Sequence, residues 1–316
     1  MQILIHNKDL LEEMLNTKTD EHNKKISNSF YNLCCDINKL EKKIKLNVFM
    51  DNALLFFKPN NFIDAFKNIH PNFKDGPQDV MEFMRILLED MNKEKNIIKN
   101  IPPHELIDNY FKDKKEVYND FKNYLYRREN SFISNKFYIL LINTFICSCG
   151  YKSYNVDNIL DIPLILPTDE KEINLINLIK ENFDKTYIEW NGNCVKCRKK
   201  NKKHYKQISL GNINDFLFIS IQRYKKNSSN INNTKVIFKN ILDLNEVIDN
   251  EIFKGSSKFE LISIIDHLGN IDYGHYYSYI KLNEDWVKFD DIIVENKGGL
   301  NMISLKVCVL LYKRKG

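Results

Sequence analysis

Glycine, proline and long apolar runs are all scarce in this sequence. It has 10 glycines and 7 prolines among 316 residues, which excludes a collagen-like chain, and its 43% hydrophobic residues exclude a disordered one. The most apolar stretch, residues 137–147, is too short to span a membrane and includes Asn143. The N-terminal residues lack the small-residue cleavage site of a signal peptide. We therefore expect a globular intracellular protein, in the cytoplasm, the nucleus or both, without a membrane partner.

An excess of one charge is also missing. Lysine and arginine total 47 against 42 acidic residues, so the formal net charge is only +5. A charge this small, spread along the chain, does not by itself indicate a nucleic-acid partner.

Cysteine is sparse, and its pattern excludes a regular disulfide framework because seven is an odd number and most of the residues lie in close pairs. Cys147 and Cys149 form one pair, and Cys194 and Cys197 form a C-x-x-C. Four thiolates in this pattern favour a structural, non-catalytic Zn²⁺ site. Two alternatives stay open: the pairs are accidental, or a zinc ribbon with the basic residues 198–206 contacts nucleic acid.

The spacing of apolar residues changes near the middle of the chain. In the first half, Val80, Phe83, Leu87 and Met91 repeat at helical spacing. In the second half, from about Leu140, apolar runs separated by Gly, Asn and Asp predict antiparallel strands. The predicted strands cover residues 159–166, 216–224, 259–268, 275–282, 286–291 and 307–314. The fold class predicted is α+β.

One group of polar residues has the types found in a catalytic base and its orienting acid. In DYGHYYSYIKLNEDWVKFDD, His275 starts one strand, and Asp290 and Asp291 end the next. A hairpin through LNED brings imidazole and carboxylate side by side, which is how an acid orients a general base. Gly274 allows a sharp turn or a close approach to substrate. The alternative is that His275 is a core histidine whose hydrogen bonds are satisfied there. The coincidence of these features favours a general base.

These segments resemble, in order, the boxes of the ubiquitin-specific protease family of cysteine deubiquitinases, from about Gly76 to the C-terminus. GPQDVMEFMRILLEDM resembles the Gln-Asp box, with Pro77 in place of the first Gln. CSCGYKS and CVKC resemble the two zinc-finger knuckles. FLFISIQRY resembles the strand that ends in Arg-Phe, with Tyr224 in place of Phe. GHYYSYIKLNEDWVKFDD resembles the His box, and VCVLLYKR resembles the terminal strand.

The resemblance implies a papain-like cysteine protease fold, with a helical thumb, an antiparallel-sheet palm and zinc-finger-bearing fingers. On this basis residues 1–25 are expected to be an N-terminal extension of a catalytic domain over residues 26–316. Its thumb would cover about 26–138, its fingers about 139–215 and its palm about 216–316.

The resemblance also implies roles for individual residues. His275 matches the family's catalytic histidine and Asp290 its orienting acid, with Asp291 as the neighbouring acid. Gln78 and Asp79 match the pair that contacts the tail of ubiquitin.

Glu82, Gly274 and Tyr276 are further expected substrate contacts. The alternative for Gln78 is a capping box with Asp75 at the start of the predicted helix, with Pro77 in its first turn.

The nucleophile lies where the match is poorest. KKISNSFYNLCCDINKLEKK stands in the place of the family's Cys box but has no glycine. We assign Cys34 as the nucleophile, at the start of a helix and facing His275, with Asn28 as an oxyanion donor. Cys35 is the alternative thiol. A different alignment puts Phe30 at this position, which would make the protein inactive.

The function implied is that of a deubiquitinating cysteine protease. It would hydrolyse the peptide or isopeptide bond after the C-terminal glycine of ubiquitin through a thioester. Two alternatives are an inactive, ubiquitin-binding scaffold with the same fold and a zinc-ribbon nucleic-acid-binding protein. The expected partners are ubiquitin or ubiquitinated proteins, without nucleic acid, and the expected state is a monomer.

Overall fold

The computed structural model describes residues 2–5, 11–12, 25–45, 58–73, 78–103, 109–168, 170–189, 192–199, 204–224, 231–269, 274–299, 303–304 and 306–316. Most of its helices precede the first strand. They are α1 Gln2–Ile5, α2 Lys25–Lys45, α3 Asn60–Ile69, α4 Val80–Lys95, α5 Lys114–Arg128, α6 Phe132–Phe137 and α7 Leu175–Phe183. Within the described ranges, every helix is too short or too polar to span a lipid bilayer.

The strands fill most of the second half of the chain, where the sequence predicts them. They are β1 Ile139–Cys147, β2 Lys152–Ile159, β3 Asp161–Ile165, β4 Glu172–Asn174, β5 Thr186–Ile188, β6 His204–Ile213, β7 Phe216–Gln222, β8 Lys235–Ile237, β9 Ile241–Asp243, β10 Lys258–Gly269, β11 Gly274–Leu282, β12 Asp285–Asp290, β13 Ile293–Gly298, β14 Ile303–Ser304 and β15 Val307–Arg314.

Three sheets organise these strands. The largest has the order β13-β12-β11-β10-β15-β7-β3, and β9 also pairs with β10. A second sheet has the order β2-β1-β6-β5 and a third the order β14-β8-β4. All pairs are antiparallel except β3 with β7 and β4 with β8. The α+β class with antiparallel sheets is therefore confirmed.

Helix α4 begins later than the capping box predicts. Asp79 is its N-cap, and the Asp79 carboxylate accepts a hydrogen bond of 2.8 Å from the Glu82 backbone N–H. This satisfies one amide that the helix itself cannot pair. Gln78 therefore precedes the helix, and Asp75 and Pro77 lie outside the described residues. The apolar face of α4 is buried, as its periodicity predicts.

Helices α2, α3, α4 and α6 pack against one face of the large sheet. The ring of Phe137 in α6 stacks on Phe216 and Phe218 of β7, with centroids 5.2 and 5.8 Å apart. Leu4 and Ile5, from the segment predicted to be an extension, are buried in this same core. The boundaries of thumb, fingers and palm stay predictions.

An ion pair between Arg85 and the buried Asp161 joins α4 to the sheet. Arg85 donates two hydrogen bonds to Asp161 of β3, at 2.7 and 2.8 Å, and the Ser220 hydroxyl donates a third at 2.5 Å. Asp161 is buried, so it depends on these donors. The same helix carries Asp79 and Glu82, so the bridge also sets where those carboxylates lie relative to the sheet.

Candidate active site

The hairpin of β11 and β12 brings His275 and Asp290 together. The strands pair in register, with Ser278 opposite Phe289, and turn at Asn283, whose φ of 58° suits asparagine. His275 therefore lies near the start of one strand and Asp290 at the end of the other. The imidazole Nε2 and the carboxylate Oδ1 are 2.5 Å apart, and the Nε2–H donates to the carboxylate.

Asp290 is held in its ionised form. Its Oδ2 accepts a hydrogen bond of 2.6 Å from the Lys288 ammonium. The hydrogen bonds from His275 and Lys288 lower the pKa of Asp290 below its ordinary value. Asp291 is exposed in the turn that follows, and its carboxylate, that of Asp290 and the imidazole each have an atom within 4.8 Å of the others.

His275 is oriented for proton transfer. Because its Nε2 faces Asp290, Nδ1 is the nitrogen left for a reacting group. The side chain is 44% exposed, so a substrate can reach it. An imidazole fixed at one nitrogen by a carboxylate and accessible at the other is the arrangement of a general base that later acts as an acid.

A cleft of about 620 Å³ lies between the start of α4 and the ends of β7, β10 and β15. Three of the predicted substrate contacts line it, namely Asp79, Glu82 and Tyr276. Gln78 immediately precedes Asp79 and is half-buried. Two carboxylates at the beginning of α4 offer negative charge to a basic ligand at this end of the cleft, whose lining also contains Arg85, Arg223 and Lys306.

His267 also lines the cleft, and it was not predicted as a site residue from the sequence. Its Nδ1 is 2.7 Å from the Tyr224 hydroxyl, and its ring centroid is 4.4 Å from that of Tyr276. Burial lowers the pKa of His267, and the nearby Asp79 opposes that shift while His275 adds to it. The signal that could have found His267 is its position in HLGNIDYGHY, where a hairpin places it opposite Tyr276.

Gly274 is required by this packing. A Cβ at Gly274 would lie 1.8 Å from the Nε2 atom of His267. The ring of His267 is held by Tyr224 on one side and Tyr276 on the other, so it has little room to move. Gly274 therefore keeps the strand that carries His275 close to the cleft.

In the described residues the Cys34 thiol forms no hydrogen bond with His275. Cys34 lies well inside α2, not at its start, and is 1% exposed in the helical core. Burial raises the pKa of the Cys34 thiol to about 12. The free amides at the start of α2 are instead occupied by Glu94, which accepts hydrogen bonds from Ile26 and Ser27 at 3.1 and 2.7 Å.

Asn28 and Cys35 do not complete a site around Cys34. Residues six apart on a helix lie on different faces, so Asn28 does not share a face with the Cys34 thiol. Cys35 is half-buried and interacts with the Tyr31 hydroxyl. All seven cysteines lie in the described ranges, and none of them forms a hydrogen bond with His275 there.

The four cysteines that were predicted to bind zinc do lie together. The sulfurs of Cys147, Cys149, Cys194 and Cys197 all lie within 4.8 Å of one another, and the Cys149 and Cys194 sulfurs are 3.7 Å apart. Zn–S bonds of about 2.3 Å in a tetrahedron place sulfurs about 3.8 Å apart, so the cluster fits such an ion. These four cysteines could hold a metal, with no ligand position left for substrate.

Two tight turns present these thiols. The Gly150 N–H donates to the Cys147 carbonyl at 2.8 Å, and Gly150 has a φ of 85°, which glycine adopts without strain. The Arg198 N–H donates to the Cys194 carbonyl at 2.7 Å. Burial raises the pKa of Cys194, but hydrogen bonds from the backbone N–H groups of Cys197 and Lys196 and from the thiols of Cys147 and Cys149 together lower it to about 7.

The chain is similar to known proteins over most of its length. The family model of ubiquitin carboxyl-terminal hydrolase matches residues 1–312. A probable ubiquitin carboxyl-terminal hydrolase of Acanthamoeba polyphaga mimivirus is 24% identical over 233 residues, covering 71% of this chain and 48% of that protein. Ubiquitin carboxyl-terminal hydrolase 21 of Homo sapiens is 24% identical over 279 residues, covering 81% of this chain and 49% of that protein.

Among solved structures, the SAGA DUB module bound to monoubiquitin contains a similar chain, with a TM-score of 0.73 and 17% sequence identity. The match covers 100% of this chain and 65% of that chain, and it shows a shared fold. This chain spans about half the length of the curated relatives it matches. The family model covers nearly the whole sequence, so the resemblance is confirmed and the chain belongs to the ubiquitin carboxyl-terminal hydrolase family.

Proposed function

We propose that the protein binds the C-terminal tail of ubiquitin in the cleft and that His275 and Asp290 serve the hydrolysis of the bond after its last glycine. The observation that carries this proposal is the His275–Asp290 hydrogen bond beside a cleft with two carboxylates at one end. An extended tail that carries arginines and ends in Gly-Gly needs a narrow channel with acidic walls. Asp79 and Glu82 supply the charge.

The pair has a defined role in such a reaction. A thiolate attacks the carbonyl of the last glycine, and the tetrahedral intermediate collapses when the imidazolium of His275 gives its proton to the departing amine. Water then hydrolyses the thioester, and the imidazole takes its proton. Asp290 keeps the imidazole in the tautomer that exposes Nδ1 and stabilises its charged form.

Cys34, the nucleophile that the sequence proposes, does not meet the chemical requirement as placed. A pKa of about 12 leaves roughly one thiol in 10⁵ ionised at pH 7. The acid–base pair and the residues that line the cleft are therefore named, whereas the thiol that attacks the carbonyl is not assigned.

Ubiquitin binding without hydrolysis is the second candidate function. It is favoured by one observation: in the described ranges, none of the chain's thiols is hydrogen-bonded to His275. The two candidates share the cleft and differ only in the chemistry. No comparable observation favours a nucleic-acid-binding zinc ribbon, and part of its basic run, 198–206, lies outside the described residues.

The experiment measures cleavage and binding on the same protein. Cleavage is followed with ubiquitin carrying a C-terminal fluorogenic amide, and binding of monoubiquitin is followed by calorimetry. Turnover that is lost in Asp290→Asn supports hydrolysis, and binding without turnover supports the second candidate. Absence of both binding and turnover, in protein shown to be folded, contradicts both.

We propose further that Zn²⁺ occupies the four-cysteine cluster and acts structurally. The donor set supports this, because four thiolates favour zinc and close its coordination sphere against substrate. When bound, the ion would tie the end of β1 to the turn at Cys194–Cys197 and so stabilise the sheet that contains β1 and β6.

A further inference from the structure

The two oxygens of Asp290 have different partners. Oδ1 faces His275 at 2.5 Å, and Oδ2 accepts from the Lys288 ammonium at 2.6 Å. A carboxylate with one oxygen engaged by a cation has a fixed orientation, because rotation would break that charge-assisted bond. The oxygen that remains then points in one direction, towards the imidazole.

Lys288 is itself held in place. Its Nζ lies 4.4 Å from the centroid of the Tyr277 ring, within the range of a cation–π interaction, and its side chain is only 19% exposed. The Tyr277 hydroxyl is hydrogen-bonded to Asp266, a buried residue of β10. The ring under the ammonium is thus anchored to the neighbouring strand.

The sheet register explains why these groups meet. Alternate residues of a strand share a face, so His275, Tyr277 and Tyr279 of β11 lie on one face with Lys288 and Asp290 of β12. Lys288 lies opposite Tyr279 on one side and Glu295 of β13 on the other. The charged and titratable groups that face the Lys288 ammonium are therefore Asp290 on its own strand, Tyr277 and Tyr279 on β11, and Glu295 on β13.

We propose that Lys288 is a positioning residue, which holds Oδ2 of Asp290 so that Oδ1 faces His275. This inference rests on the proposed catalytic role of the pair. The Lys288 ammonium is bonded to Asp290 and not to His275, so it acts through Asp290. Without the ammonium, the Asp290 carboxylate would be free to rotate, and the imidazole would lose its fixed orientation.

The electrostatics of Asp290 agree with this geometry. The hydrogen bond from His275 lowers the pKa of Asp290 most, and the bond from Lys288 lowers it further. Removing the ammonium should therefore raise that pKa. Lys288 keeps the carboxylate ionised as well as oriented, so its loss has two measurable consequences.

The test compares Lys288→Met, which keeps the length of the side chain, with Lys288→Arg, which restores the charge. Lys297→Met is the matched control, because Lys297 pairs with Glu295 of its own strand, β13, at 2.8 Å and forms no ion pair with Asp290 among the described residues. NMR follows the carboxyl carbon of Asp290 through a pH titration in the protein without substrate. The fluorogenic ubiquitin assay gives kcat and KM for each variant.

We expect the Asp290 titration to move up by roughly half a pH unit or more in Lys288→Met, to stay in place in Lys297→Met, and to return towards the starting value in Lys288→Arg. We expect kcat to fall roughly tenfold in Lys288→Met, with KM unchanged and partial rescue by arginine. An unchanged Asp290 titration in folded Lys288→Met overturns the inference, and so does an equal shift in Lys297→Met. The titration of Asp290 can be measured without turnover. If the protein shows no activity, the hydrolytic proposal is contradicted, but the titration still tests whether Lys288 positions Asp290. If Lys288→Met does not fold, Lys288→Gln replaces it in the same comparison.

Discussion

The hairpin that carries His275 and the helix that carries Cys34 place their reactive groups in opposite surroundings. His275 is 44% exposed on a sheet and is bonded to a carboxylate. Cys34 is 1% exposed in an apolar core, where burial raises its pKa to about 12. The surroundings of His275 favour proton transfer, whereas those of Cys34 suppress ionisation of the thiol.

The difference follows from how each segment is positioned. A hairpin with a short turn fixes its own register, so the imidazole and the carboxylate meet through local structure. Helix α2 is placed by packing against α3 and α4, far along the chain, and by Glu94 at its first turn. The orientation of α2 therefore depends on tertiary contacts, which a local sequence pattern does not reveal.

The largest expected effect is the loss of cleavage in His275→Ala. Removing the general base should lower kcat/KM by about 10⁴-fold in a chain that turns over ubiquitin substrates, while binding of monoubiquitin is retained. His70→Ala is the matched control, because His70 also pairs with an aspartate, Asp90, but between helices. Equal losses in both variants would show that the effect comes from folding, and the contrast between the two regions would disappear.

The next effect concerns the four cysteines. Cys194→Ser should release the bound metal and destabilise the fold by on the order of several kcal/mol, because a closed thiolate site contributes folding energy. Elemental analysis and thermal unfolding measure both quantities. Cys35→Ser, which changes a thiol outside the cluster, should retain one zinc per chain. Zinc-free protein with the same melting temperature would contradict the structural role.

A smaller effect is expected at Gly274. Gly274→Ala places a Cβ against the ring of His267 and should cost roughly 1–3 kcal/mol, as overpacking does, and weaken ubiquitin binding. Gly299→Ala is the control, since a Cβ there has no heavy atom of the described residues within 4 Å. Denaturant unfolding and calorimetry compare the two variants. Equal behaviour of both would mean that His267 moves freely, so that Gly274 does not define the cleft.

The same contrast explains how much the sequence could predict. Strands β3, β7, β10, β11, β12 and β15, the buried apolar face of α4 and the meeting of His275 with Asp290 follow from periodicity and turn residues. His267 was missed because its role depends on a partner, Tyr224, which lies just after β7, a strand that is not adjacent to β10. The surroundings of Cys34 were mispredicted because a helix start was inferred where α2 already continues from Lys25.

The smallest effect is expected at Cys34. Cys34→Ala removes one buried sulfur and should lower the free energy of unfolding by about 1 kcal/mol, whereas Leu33→Ala, beside it in the same core, should cost about 3 kcal/mol. Monoubiquitin binding should be unchanged in Cys34→Ala, and any turnover should persist, because a buried thiol with a pKa of about 12 supplies almost no thiolate. Iodoacetamide should label Cys35 before Cys34 in the folded protein. Complete loss of turnover in Cys34→Ala, with binding and folding intact, would instead make Cys34 the nucleophile and require helix α2 to move towards His275 during catalysis.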